Sequence, residues 1–111
     1  MQEAINIAKE LNTRIKNSEE YKKYIELKTK LYDNVELRDR LKEFKIKNSN
    51  IQNNPTADPI EAIKGLVGEY DELLHNSIVG DYIKVEQRMC KLMQQVYISL
   101  AEGLELEYLD E

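Results

Sequence analysis

The run IVGDYIKVEQRMCKLMQQVYISLAEGL, residues 78–104, leaves the fewest architectures open. It contains no proline, and its apolar residues recur every three or four positions, which is the helical period. Taking Met89 as the centre of the stripe, Ile78, Tyr82, Val85, Leu92, Met93, Val96 and Leu100 fall within roughly 60° of it. Val79, Ile83, Cys90 and Tyr97 form a shoulder at about 80–120°. The segment therefore predicts one long helix, apolar over nearly half its circumference. An arc that wide needs cover on more than one side. The expectation is a helix that packs on its own bundle and also on another chain, as a homodimer or larger assembly.

The rest of the chain repeats the helical period in shorter pieces. Ala4, Ala8, Leu11 and Ile15 mark a first helix, flanked by Ile5 and Ile7. NSEE restarts the pattern, with Asn17 as the expected cap and Glu20 in the capping-box position. Tyr21, Tyr24, Ile25, Leu27, Leu31 and Tyr32 define the second helix. DNVE repeats the signal with Asp33 and Glu36, opening a third helix through Leu37, Leu41 and Phe44 and on toward Ile51. Residues 48–57, rich in Asn and Ser and containing Pro55, read as the one clear loop. DPIE is the strongest start signal: Asp58 caps, Pro59 fills the first turn, and Glu61 sits at the reciprocal position. A fourth helix then runs from Ile60 to Leu74. Gly65 and Gly68 lie inside it, on a similar face where a neighbouring helix is expected to approach. HNS, residues 75–77, ends it. The expected fold is all-α, a single helical domain over residues 1–111 of about five helices, with an acidic tail at about 105–111 that frays.

Size and composition agree with that class. A chain of 111 residues can bury roughly 65% of its unfolded surface, so no disulfide or metal is needed to hold a core. A lone cysteine, no leader-like N-terminus and no apolar run of membrane-spanning length point to a soluble protein of the reducing cytoplasm. The net charge of −5 is unevenly distributed: residues 1–47 carry +3 and residues 48–111 carry −8. Such asymmetry can orient two halves or a partner. It is a weak footprint for nucleic acid, because acids alternate with bases throughout the basic half.

Chemistry-bearing motifs are scarce. The chain has no phosphate-binding Gly loop, no His-Glu-x-x-His and no cysteine pair. His75, the only histidine, suits a helix C-terminus better than a metal site. Cys90 reads as a small buried hydrophobe. Glu86 stands out because it lies beside the apolar stripe, one turn from both Tyr82 and Met89. A carboxylate there is expensive to desolvate unless it is paired. The expected role is a boundary acid reaching water or a Lys or Arg from one of the first three helices, or a polar contact that sets register at an interface. Catalysis would need a second converging polar group. No catalytic residue, cofactor or metal is therefore expected. Tyr82, Val85, Glu86, Met89, Met93, Val96 and Tyr97 are the candidate partner or oligomer interface.

Two segments in order, AINIAKELNTRIKNSEEYKKYIELKTKLYDNVELRDRLKEF and NSIVGDYIKVEQRMCKLMQQVYISLAEGL, resemble the YlbF/YmcA/YheA family of small helical bacterial regulators, the control-of-competence group. The shared features are the Ala-Lys-Glu-Leu opening, the Ser-Glu-Glu-Tyr junction and a Val-x-x-Tyr-Leu-x-Ala-Glu-like start to the long helix. On this resemblance Glu86 takes the place of the family's characteristic acid and Tyr82 its aromatic position. Val35 and Ser77 stand where Pro is frequent, Val85 where Ala is usual, and Gly80 where a larger residue is common. The resemblance implies a helical oligomer without catalytic activity that acts as an adaptor. In better-understood relatives the adaptor works in a complex modulating RNA processing by RNase Y, upstream of competence, sporulation and biofilm formation. The resemblance also extends to members that hold an iron–sulfur cluster through extra cysteines, which this chain, with Cys90 alone, does not offer. Two alternatives stand beside the adaptor reading: a nucleic-acid binder using the basic first three helices, and a self-associating structural protein.

Overall fold

The computed structural model describes residues 1–54 and 58–105. The described residues form six helices and no strand: α1 (Gln2–Lys16), α2 (Glu19–Asp33), α3 (Val35–Asn53), α4 (Pro59–Glu69), α5 (Asp71–His75) and α6 (Ser77–Ala101). The all-α class and the long last helix are as expected. The expectation that the acidic tail frays falls largely on residues 106–111, which lie outside the described residues.

Two of the expected caps move by one residue. Ser18, not Asn17, caps α2: its Oγ accepts from the Tyr21 amide at 3.2 Å and donates to the Ile15 carbonyl at 2.6 Å. Asn34, not Asp33, caps α3, its Oδ1 accepting from the Leu37 amide at 3.2 Å. In both cases the polar residue one place later makes the side-chain bond to the amide three residues on, and the expected cap is left in or beside the preceding helix. Asp58 caps α4 as expected, accepting from the Glu61 amide at 3.1 Å, and Pro59 occupies the first turn. Asn76 opens α6 by accepting from the amides of both Ile78 and Val79.

The loop expected at 48–57 is shorter, because α3 continues through Asn53. Ile51 packs against the core cluster, and that tertiary contact outweighs the weak helix preference of the surrounding Asn and Ser residues. The expected fourth helix is instead two, broken at buried Tyr70, where the chain bends and the ring meets Phe44 edge-on at 5.5 Å. Gly65 and Gly68 do not admit a neighbouring helix, since a Cβ added at either would touch nothing within 4 Å. They weaken the helix just before the break instead.

The core is small and lies at one end of the molecule. Leu31, Leu41, Leu66, Tyr70, Leu73, Val79 and Tyr82 form it, with Tyr24, Leu37, Phe44 and Ile83 packed around them. α2 and α6 run antiparallel, as Glu20 facing Arg88 and Tyr24 facing Tyr82 require. α3, α4 and α5 close the N-terminal end of α6. By contrast α1 has no buried residue, and α6 has none beyond Tyr82. The result is a head with two helical arms, measuring 50 × 36 × 17 Å. Its radius of gyration is 17.9 Å, against about 13 Å for a compact chain of this length.

Candidate functional site

Glu86 is held within its own chain. Lys45 of α3 donates to both carboxylate oxygens at 2.6 Å, and the Tyr82 hydroxyl donates to Oε2 at 2.9 Å. The Lys45 ammonium also lies 5.5 Å from the centre of the Tyr82 ring. Tyr24 stacks beside Tyr82 at 6.0 Å and Tyr21 beside Tyr24 at 6.3 Å, so a column of three rings leads from the α1–α2 junction into the core. Burial, together with the hydroxyl of Tyr24 and the carboxylate of Glu86, pushes the Tyr82 hydroxyl above its ordinary value, so it stays protonated and donating. The boundary acid paired to a basic residue of an earlier helix is thus what the structure contains. A second polar cluster closes the other side of the core. Buried Tyr70 donates to Glu43 at 2.7 Å, and Lys47 bridges Glu43 and Glu69 at 3.3 and 3.2 Å.

The seven candidate interface residues separate along α6. Tyr82 is a core residue, and Glu86 is engaged as described. Val85, Met89 and Val96 are half-buried, while Met93 and Tyr97 are exposed. Burial on α6 is therefore centred on Val79 and Tyr82, toward the shoulder of the stripe, and stops short of Met89. Cys90, expected to be buried, is exposed. It lines a hollow of about 440 Å³ between α1, α2 and α6, walled by Ile15, Tyr21, Tyr24, Met89 and Met93. α1 stands too far out to cover α6, which is why the shoulder past Tyr82 stays open.

The signal that residue-by-residue reading missed is a charge gap. Leu92–Ala101 contains ten consecutive uncharged residues in a chain that is 33% charged. Ile98, opposite the stripe, is 64% exposed, and Tyr97 and Leu100 on its other sides are 55% and 60% exposed. Gln94, Gln95 and Ser99 are the segment's polar residues, and an uncharged helix with large apolar residues on several sides is normally an enclosed one. The whole-chain surface agrees. It measures 8771 Å² for a mass of 13.0 kDa, against roughly 6,300 Å² for a compact monomer. Granting residues 55–57 and 106–111 the full area of an unfolded chain still leaves an excess of roughly 1,300 Å². One partner's share of a standard interface is about 800 Å².

Among the described residues no helix is long and apolar enough to cross a membrane, and no group of three or more His, Cys, Asp or Glu is placed to hold a metal. A family model described as control of competence regulator ComK, YlbF/YmcA, matches residues 4–105. The chain is similar to a UPF0342 protein of Halothermothrix orenii (strain H 168), at 31% identity over 110 residues, covering 91% of this chain and 88% of the relative. No solved structure gives a significant match.

Proposed function

We propose that this chain, which belongs to the Com_YlbF family, is a cytoplasmic regulatory adaptor without catalytic activity that works as a homodimer. The arm of α6 from Met89 to Ala101, together with α1, is the surface through which copies associate and through which other regulatory proteins are contacted. The observation that carries this reading is the uncharged arm: a helix end with large apolar side chains on several sides, exposed in the single chain, with an excess surface large enough for one side of an interface. The family's description as control of a competence regulator supports a regulatory role. The resemblance of the two long segments to members of a ribonuclease-associated complex points to partners of that kind.

The polar chemistry fits an adaptor better than an enzyme. The carboxylate of Glu86 is taken up by Lys45 and Tyr82, so its hydrogen-bonding capacity goes into tying α3 to α6. Affinity would come from apolar anchors such as Met93, Tyr97 and Ile98, and orientation from the charge asymmetry between the halves. Light scattering at micromolar concentration tests the reading. Twice the protomer mass is expected for the wild type, and the protomer mass for Tyr97→Lys combined with Ile98→Glu. A wild-type chain that remains a single protomer at that concentration refutes it.

A further inference from the structure

We propose that the cation-ringed Tyr32, at the turn between α2 and α3, is a docking site for an acidic segment of a partner protein. Tyr32 is 40% exposed at the end of α2. Lys28, Lys42 and Arg38 gather over its ring, with their charge centres 5.4, 5.7 and 5.8 Å from the centroid. They come from two helices, and the ring's negative faces hold together cations that would otherwise repel. Only Arg38 has a carboxylate neighbour, the adjacent Asp39 at 3.1 Å. Among the described residues no carboxylate lies within 4.0 Å of Lys28 or Lys42. In a chain of net charge −5, two lysines and an arginine converge here, and of the exposed acids nearby only Asp39 is paired with one of them.

Beside the ring a cleft of about 30 Å³ opens between Arg38, Lys42 and Lys45 and reaches down to Leu31, Leu41 and Tyr82. That exceeds the roughly 10–15 Å³ one water needs and is far too small for a base. It suits a carboxylate head: the Arg38 fork and the Lys42 ammonium can meet its oxygens, Lys45 being already engaged by Glu86, while the apolar floor takes its methylenes. Nucleic acid fits less well. Single-strand binding needs an open aromatic face and a continuous basic track. Here the ring already carries three cations, and Glu26, Asp33, Glu36 and Asp39 interrupt the surrounding surface. Because α6 runs antiparallel to α2, its arm lies toward the opposite end of the molecule. The cleft stays open whether or not the arm is covered, so this inference stands apart from self-association.

The test is fluorescence anisotropy of a labelled peptide, EGLELEYLDE, which copies residues 102–111 and carries five acidic side chains. The full chain is titrated at low salt, with a ten-residue oligouridylate as competitor. Saturable binding is expected, weakening with added salt and falling roughly tenfold for Lys28→Gln/Lys42→Gln. Lys64→Gln/Lys84→Gln, outside both the cation cluster and the association surface, should change it less than about twofold. All four lysines are at least partly exposed, and circular dichroism confirms that both variants are folded. The proposal is overturned by any of three results. These are no saturable binding at about 1 mM protein, equal loss in the two double variants, or oligouridylate displacing the peptide at lower concentration than the peptide itself.

Discussion

Replacing Glu86 with Ala should destabilise the chain by about 2 kcal/mol, whereas Lys45→Ala should cost only about 0.5 kcal/mol. The difference follows from what each leaves behind. The Lys45–Glu86 pair is partly solvated, with side chains 44% and 26% exposed, so the pair itself contributes a few tenths to one kcal/mol. When Lys45 is removed, the Glu86 carboxylate keeps Tyr82 and turns its free oxygen to water. When Glu86 is removed, the hydroxyl of Tyr82, a residue only 4% exposed, loses its acceptor, a penalty of roughly 1–3 kcal/mol. Tyr82→Phe in the Glu86→Ala background removes the orphaned donor and should restore about 1 kcal/mol. Urea unfolding followed by far-UV circular dichroism, at fixed protomer concentration, measures the wild type, Lys45→Ala, Glu86→Ala and Glu86→Ala/Tyr82→Phe. In a thermal scan the Glu86→Ala loss corresponds to a fall of about 10 °C. If Lys45→Ala proves as damaging as Glu86→Ala, or if Tyr82→Phe gives no relief, the carboxylate is not acting as the acceptor for a buried phenol.

Three further outcomes follow from the same structure. Leu31→Ala, at a position 1% exposed in the centre of the small core, should cost about 3 kcal/mol in urea unfolding, more than any exposed-arm substitution. The hydrogen bond from Tyr70, and then Lys47, hold the Glu43 carboxyl below its ordinary value. Its stabilisation is therefore fully present above about pH 4.3 and is lost as pH falls through the folded-state value, so Glu43→Gln should flatten the acid limb of urea midpoints plotted against pH. Cys90 should react with a soluble disulfide reagent in the native protein without denaturant, and more slowly as protein concentration rises and the hollow is covered, read from released chromophore.

Sequence patterning reached the fold because α2, α3 and α4 each carry a start signal, and the chain obeyed the spacing even where the capping residue moved by one place. Asn17 and Ser18, like Asp33 and Asn34, are chemically interchangeable caps, and only the three-dimensional path decides between them. The run of α3 toward Ile51 was expected; what was obscured is that it carries the Asn- and Ser-rich stretch to Asn53, because those residues read as loop and the contact of Ile51 with the core is non-local. The break at Tyr70 was equally illegible, since Ile60 to Leu74 keeps one period across it. At the candidate site, the pairing of Glu86 with a basic residue of an earlier helix was foreseeable from its place beside the stripe. That the residue is Lys45, 41 positions away, was not. Nor could periodicity show that Tyr82 and Tyr97, nearly on one face, end as a core residue and an exposed one. Periodicity says which residues share a side of a helix. It does not say how far along that side the neighbours extend.

The ten-residue charge gap at the end of α6 also bears on the chain's life in the cell. If copies pair through it as proposed, a newly made copy without a mate displays the kind of apolar, neutral stretch that chaperones and degradative machines recognise. Turnover is then expected to be quick when the chain is scarce and slow once copies meet, so that abundance would follow a threshold in synthesis rather than rise in proportion to it.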